Sequence, residues 1–196
     1  DVQKDFCAGG ALAVQNADAV VEPVNALMDK FPNVAISQDW HPVGHKSFNT
    51  SHEGKAPFET IEMPYGEQIL WPEHAVAGTP GAEFHPDLNT TKAKAIIRKG
   101  TNIDIDSYST FFENDRKTPT GMAGYLRQNG FKRVFLCGIA TEYCVGFSGV
   151  DGTAEGFEVF VITDATARFD NDDYDPMIAR WNECGVTQVT SNDLEA

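Results

Sequence analysis

The chain has 196 residues and a formal net charge of −14 at pH 7, with 29 acidic against 15 basic side chains. This length predicts one domain with a substantial core, and the acidic balance argues against nucleic acids and anionic membranes as partners. No stretch is long and apolar enough to cross a membrane, and the four cysteines form no CxxC pair, which favours free thiols in a reducing cytoplasm.

Short apolar runs alternate with amphipathic stretches along the chain. The apolar runs predict strands at 34–36, 95–97, 134–137 and 159–162, with a weaker one at 186–189. The amphipathic stretches predict helices at 17–30, 118–129, 142–155 and 173–183, the last ending at Gly185. This alternation predicts a three-layer α/β/α fold around a mainly parallel sheet, with functional side chains at the carboxyl ends of the strands.

The segment from about residue 42 to 92 interrupts this pattern. It is rich in Pro, Gly and His and has no sustained periodicity, and a segment this long within a domain is usually functional. All five histidines lie inside it or at its edge, at positions 41, 45, 52, 74 and 85. We therefore expect an irregular, metal-binding insertion within a single domain of residues 1–196.

A metal site is predicted where the first strand ends. Asp39 and His41 are two residues apart, so they face the same side of an extended chain, and His74 is the expected third ligand. One carboxylate and two imidazoles suit zinc, iron or manganese, and three protein ligands leave positions for water or substrate. His45 is either a fourth ligand or a partner of the ligands. His52 and His85 are interpreted as loop residues.

The segment RVFLCGIATEYCV, residues 133–145, contains a candidate nucleophile. Its apolar run predicts a strand that ends at Gly138, and a helix is predicted to begin at Thr141, which places Cys144 in the first helical turn. The helix dipole and the unpaired N–H groups of that turn lower a thiol pKa and can bind an oxyanion. The alternative for Cys144, and the expectation for Cys137, is an inert buried thiol.

Two charged residues complete a candidate catalytic set with Cys144. Lys99 ends a predicted strand at the same sheet edge, although a solvated strand-end lysine is the simpler interpretation of its position. Asp1 precedes a turn, where a first strand would have ended, whereas Asp5 fits a turn or capping role better. A carboxylate near a thiol can serve as base and acid, and a lysine between them would hold the carboxylate ionised.

Five segments, in order, resemble signatures of the nicotinamidases, within the isochorismatase-like cysteine hydrolase superfamily. They are DVQKDFCAGG, SQDWHPVGHKSF, ILWPEHAV, IIRKGTN and GIATEYCV. The resemblance covers nearly the whole chain. It implies a catalytic triad and one divalent metal ion, most simply zinc. The triad residues are Asp1, Lys99 and Cys144, and the metal ligands are Asp39, His41 and His74.

The resemblance also implies further parts of the site. The Ile139–Ala140 peptide bond is expected to be cis, which would direct the Ala140 N–H toward the same oxyanion hole as the Cys144 N–H. Phe6, Trp71 and Tyr108 are expected to form the aromatic walls of the substrate pocket, although aromatic side chains are more often simply core residues.

The implied reaction is the hydrolysis of nicotinamide to nicotinate and ammonia in NAD salvage, with pyrazinamide as a further substrate. The ring nitrogen would occupy an open metal position, which orients the amide over Cys144. Two alternatives stay open: a hydrolase of another small amide or of isochorismate, and a non-catalytic metal-binding protein on this scaffold. Assembly into a homo-oligomer is also left open.

The chain departs from the family in two places. The family carries an apolar strand just before its first aspartate, so we expect such a strand to precede Asp1 in the natural protein. The segment GFSGVDGTAEGF after Cys144 is richer in glycine than expected of a helix. Because glycine weakens a helix interior, this predicts looser packing behind the nucleophile.

Overall fold

Parallel strands form the centre of the computed structural model, which describes residues 1–194. The strands are β1 (Val34–Asp39), β2 (Thr60–Met63), β3 (Gly66–Ile69), β4 (Ala93–Lys99), β5 (Arg133–Ile139), β6 (Glu158–Ala167) and β7 (Thr187–Val189). β1 pairs with β4, and β5, β6 and β7 pair in that order, all in parallel. The five predicted strands and the α/β class are confirmed, with the parallel strands in two hydrogen-bonded groups.

The described residues form four α-helices close to the predicted ranges. They are α1 (Val21–Lys30), α2 (Met122–Gln128), α3 (Gly146–Ala154) and α4 (Tyr174–Cys184). α4 ends as predicted, because Gly185 adopts φ +87° and its N–H bonds to the Trp181 carbonyl. Among residues 1–194, none of the helices has the length and apolar character of a membrane span.

Helices cover both faces of the parallel strands. Val161 and Ile162 are neighbours on β6, yet they belong to different apolar clusters, because successive strand residues point to opposite faces. Ile162 packs in the cluster that contains Leu27 of α1, whereas Val161 packs with residues of α2, α3 and α4 such as Trp181. Burying each such side chain stabilises the fold by roughly 1.5–3 kcal/mol. The predicted three-layer arrangement follows from these two clusters.

The glycines after Cys144 lie where α3 approaches its neighbours. A Cβ added at Gly149 would lie 3.0 Å from Nε1 of Trp181, and one at Gly152 would lie 2.9 Å from a methyl carbon of Val159. Gly146 lies three residues earlier, so all three glycines share one helix face. The prediction that these glycines loosen the packing is wrong, because they allow α4 and β6 to approach closely.

The segment from residue 42 to 92 contains an antiparallel hairpin of β2 and β3 that the sequence did not predict. β2 alternates exposed polar and half-buried apolar residues as a strand would, but over only four residues, and β3 (GEQI) shows no apolar alternation, so the signal was short and was missed. Beyond it, the His41 N–H donates to the Ala75 carbonyl, and the Ala77 N–H donates to the His41 carbonyl. These two bonds bring the loop of His74 beside the end of β1.

Candidate active site

Three side chains meet around one buried lysine at the carboxyl edge of the parallel strands. Lys99 ends β4, and its Nζ lies 3.2 Å from Oδ2 of Asp1 and 3.4 Å from Sγ of Cys144. The same Nζ donates to the Ser107 carbonyl at 2.8 Å and to Oδ1 of Asp39 at 3.1 Å. The structure therefore brings together the three residues predicted for the triad and ties them to a predicted metal ligand.

Gln3, which the sequence analysis missed, holds the start of the chain against β1. Its buried side-chain amide donates to the Asp39 carbonyl at 2.8 Å and accepts the Asp39 N–H at 2.7 Å, as a neighbouring strand would. Apart from the ion pair of Oδ2 with Lys99, the carboxylate oxygens of Asp1 have no hydrogen-bond partner within residues 1–194. Asp1 is thus placed beside Lys99 with its oxygens available to accept a proton.

Cys144 lies on a π-helical turn, Thr141–Val145, and not in the first turn of an α-helix as predicted. The Ile139–Ala140 bond that precedes this turn is cis, which confirms that prediction. Burial raises the pKa of the Cys144 thiol, and the Lys99 ammonium only partly offsets this effect. The prediction of a lowered thiol pKa is therefore wrong, because enclosure of the sulfur outweighs the nearby positive charge. The thiol needs a base to remove its proton.

The predicted metal site contains three acceptor atoms that point at one another, one each from Asp39, His41 and His74. Nε2 of His41 lies 3.0 Å and Nε2 of His74 lies 3.3 Å from Oδ2 of Asp39. The Nδ1 atoms face backbone carbonyls, of Gly100 at 3.0 Å and of Pro72 at 2.8 Å. If each Nδ1 carries the proton, both Nε2 lone pairs are directed at the carboxylate. Three acceptors within 4.8 Å of one another fit a divalent cation.

The charges around this cluster favour a cation as well. Burial would raise the pKa of Asp39, but His41 and Lys99 hold it well below its usual range, so the carboxylate stays ionised. Burial would lower the pKa of His41, but the carboxylates of Asp39 and Asp106 raise it. These carboxylates make the surroundings of the imidazoles negative, which suits the binding of a divalent ion.

His45 packs beside the cluster, with its ring centroid 4.3 Å from that of His41. Its Nδ1 contacts Ser47 Oγ at 2.7 Å, and its Nε2 contacts the Asn102 carbonyl at 2.8 Å. Burial and His41 lower the pKa of His45. Ligand atoms of His41, His45 and Asp106 also lie within 4.8 Å of one another, so His45 as a fourth ligand or as a partner of His41 stays a prediction.

Aromatic side chains enclose a pocket over Cys144, and the three residues predicted to form its walls all line it: Phe6, Trp71 and Tyr108. The Trp71 Nε1–H donates to the Tyr108 hydroxyl at 3.2 Å. The Phe6 ring lies 5.5 Å from that of His74, so one wall adjoins the metal cluster. A flat aromatic ring bound between these walls would lie near both the predicted metal ligands and the candidate nucleophile Cys144.

Sequence reasoning missed further residues that line this pocket, namely Leu12, Asp106, Tyr143 and Phe169. Tyr143 could have been found, because it directly precedes Cys144 in the same motif. Phe169 follows β6 in a polar loop and has no local signal. The histidines interpreted as loop residues lie outside the cluster, where His52 contacts the Lys46 carbonyl and His85 pairs with Asp18.

Comparison with known proteins gives a consistent result. A family model described as the isochorismatase domain matches residues 1–193. The chain is 45% identical to a nicotinamidase of Acinetobacter baylyi, over 99% of this chain and 91% of that protein. It is 33% identical to a nicotinamidase/pyrazinamidase of Mycobacterium tuberculosis, over 85% of this chain and 83% of that protein.

Solved structures resemble the whole fold. A nicotinamidase/pyrazinamidase of Acinetobacter baumannii superposes with a TM-score of 0.97 at 46% identity, covering 100% of this chain and 95% of that one. A pyrazinamidase of Pyrococcus horikoshii in complex with zinc superposes with a TM-score of 0.78 at 35% identity, covering 97% and 95% of the two chains.

Proposed function

The chain belongs to the isochorismatase family, and from that premise we propose that it is a metal-dependent cysteine amidohydrolase that converts nicotinamide to nicotinate and ammonia. The observation that carries this proposal is the position of Lys99 Nζ, within 3.4 Å of Cys144 Sγ, Asp1 Oδ2 and Asp39 Oδ1. One ammonium thereby connects a nucleophile, a proton acceptor and a metal ligand, beside a pocket suited to an aromatic ring.

The proposed chemistry uses residues that the structure brings together. Asp1 takes the thiol proton of Cys144, and the thiolate attacks the amide carbon. The N–H groups of Ala140 and Cys144 receive the oxyanion. Asp1 then returns the proton to the leaving ammonia, and afterwards removes a proton from the water that hydrolyses the thioester. The sulfur of Cys144 leaves as a thiolate and regains its proton from Asp1, which restores the starting state. At each step the Lys99 ammonium stabilises whichever of the carboxylate and the thiolate carries the negative charge.

Asp39, His41 and His74 would hold the metal ion, which when bound supplies a Lewis-acid position for the ring nitrogen of the substrate. We propose zinc, because a carboxylate with two imidazoles suits it and the similar pyrazinamidase of Pyrococcus horikoshii was solved with zinc; iron and manganese are the alternatives. Pyrazinamide is a second proposed substrate, because three of the similar proteins described above are named pyrazinamidases.

The proposal treats residues 1–196 as one hydrolase domain, with the metal-binding insertion at about 42–92. The cysteines at 7, 137, 144 and 184 are free thiols, which supports a reducing cytoplasm as the compartment. Homo-oligomerisation stays a prediction.

The test combines metal analysis with product analysis. We expect the purified protein to contain bound metal and to release equal amounts of ammonia and nicotinate from nicotinamide. Cys144→Ala should lower turnover by at least roughly 10³-fold while metal content is retained. Cys184→Ala is the matched control, since that thiol lies on α4 and contacts the Trp181 carbonyl.

Ammonia release from a different small amide, with none from nicotinamide, would favour another hydrolase of this family. Bound metal without any amide hydrolysis would favour the non-catalytic alternative. Near-normal turnover by Cys144→Ala would refute the assignment of the nucleophile.

A further inference from the structure

Phe169 is an apolar residue in an otherwise polar loop, residues 168–173, which we call the β6–α4 loop. Its ring lies 6.2 Å from that of Trp71 at an interplanar angle of 22°, and 5.8 Å from that of Tyr143. Phe169 is half-buried, whereas Trp71 and Tyr143 are buried. The Phe169 ring therefore covers the solvent side of the pocket that contains Cys144.

Glu142 fixes the backbone of Phe169. Its Oε1 accepts the Phe169 N–H at 2.8 Å, and Glu142 is only 1% exposed. Within residues 1–194, its Oε2 has no hydrogen-bond partner, and burial raises the pKa of the carboxyl group. Burying such a group is costly. The proposed chemistry does not use the Glu142 carboxyl group. Its hydrogen bond to the Phe169 N–H therefore suggests that Glu142 has a positioning role.

Residues on either side of Glu142 also tie the loop to the nucleophile's turn. The Thr141 hydroxyl donates to the Ala167 carbonyl at 3.0 Å, just before the loop. The Tyr143 hydroxyl donates to Oδ2 of Asp173 at 2.5 Å, at the end of the loop. Thr141, Glu142 and Tyr143 directly precede Cys144. In that order, they hold the start of the β6–α4 loop, Phe169 within it, and its end.

We propose that Phe169 determines substrate size by closing the pocket over the bound ring, and that Glu142 is the positioning residue that holds it there. This inference rests on the proposed function of the same pocket. The favoured substrates are compact heteroaromatic carboxamides, because a substituent on the ring edge near Phe169 would meet its side chain. Removing the Phe169 ring should weaken binding of the small ring and admit larger ones.

The experiment compares nicotinamide with ring-methylated nicotinamides. We expect Phe169→Ala to raise KM for nicotinamide roughly tenfold through the lost aromatic contact, and to raise the relative kcat/KM for at least one methylated ring by roughly tenfold. Phe169→Leu should restore much of the nicotinamide KM. Asp170→Ala is the matched control, because that side chain is exposed in the same loop.

For Glu142 the informative result is a split between KM and kcat. Glu142→Ala should raise KM roughly tenfold with kcat within about twofold, and Glu142→Gln should rescue it, because the Gln carbonyl can still accept the Phe169 N–H. The rate of Cys144 alkylation by iodoacetamide should not fall, since the turn that carries Cys144 stays intact while its cover loosens. A fall in kcat and in alkylation, or no rescue by Glu142→Gln, would mean that Glu142 supports the nucleophile's turn instead.

Nicotinamide binding, followed by tryptophan fluorescence, separates this inference from the proposed function. A wild-type protein that binds nicotinamide but releases no ammonia would overturn the proposed hydrolysis alone. Unchanged nicotinamide binding and unchanged preference among rings in Phe169→Ala would overturn the inference, whatever the wild-type activity.

Discussion

The Nζ atom of Lys99 lies 3.4 Å from the Sγ atom of Cys144. Burial would lower the pKa of Lys99, but Asp39 and Cys144 raise it above its usual range, so the ammonium stays charged. Cys144 has the opposite balance, since burial raises its pKa further than Lys99 lowers it. We therefore expect formation of the Cys144 thiolate to depend on the Lys99 ammonium.

Replacing Lys99 by Met should raise the pKa of the Cys144 thiol still further. Loss of a positive charge in contact with the sulfur disfavours the thiolate, and we expect the midpoint of alkylation against pH to rise by at least about one unit. Iodoacetamide labelling, with each cysteine quantified by peptide mass spectrometry, measures this shift. Labelling of Cys184 in the same samples is the control. An unchanged midpoint would show that Lys99 does not govern the thiol.

His74→Ala should remove the bound metal. The substitution deletes one of three converging ligands, while Asp39 and His41 remain. Metal content measured by mass spectrometry after purification in the presence of zinc should fall well below that of the wild type. His52→Ala is the control, since its ring contacts the Lys46 carbonyl outside the cluster. Equal metal content in His74→Ala and the wild type would remove His74 from the ligand set.

Glu113 should make the protein less stable as the pH rises. Its carboxyl group is buried, and burial raises its pKa from 4.5 to about 7. The folded state therefore holds this proton more tightly than the unfolded state. As a result, the free energy of unfolding falls as the pH rises from 4.5 to about 7. Glu113→Gln should remove up to about 3 kcal/mol of that fall.

Urea unfolding at pH 5 and pH 8 measures the effect of Glu113. The exposed Glu53 supplies the control variant Glu53→Gln, which should keep the wild-type difference between the two pH values. The same pH dependence in Glu113→Gln and the wild type would contradict the argument.

Gly152→Ala should destabilise the fold by about 1–3 kcal/mol, because the new methyl group would lie 2.9 Å from Val159 and 3.1 Å from Phe111. Gly124→Ala is the matched control. Gly124 lies in α2, where a Cβ meets no atom within 4 Å, so this change should stabilise the protein by about 0.5–1 kcal/mol. Urea unfolding of the two variants should give changes of opposite sign. A stabilised Gly152→Ala variant would show that the space between α3 and Val159 of β6 can accept a methyl group.

The sequence predicted those parts of the site that follow from local pattern. Lys99 and Asp39 end strands whose apolar residues are visible in the chain, and parallel strands place their carboxyl ends at one edge. Cys144 was found because a strand, a glycine and a helical stretch follow one another within a few residues. Phe169 and Gln3 could not be found in this way, since each acts through a contact with a distant segment.

The sequence by itself determined the α/β class, the family and the identity of the converging side chains, because apolar periodicity and short motifs are local properties. Only the tertiary structure decided the raised pKa of the Cys144 thiol, because desolvation depends on every segment that covers the sulfur. It likewise decided that Gly149 and Gly152 allow close packing, because the space beside a residue is set by α4 and β6 and not by its neighbours in the chain.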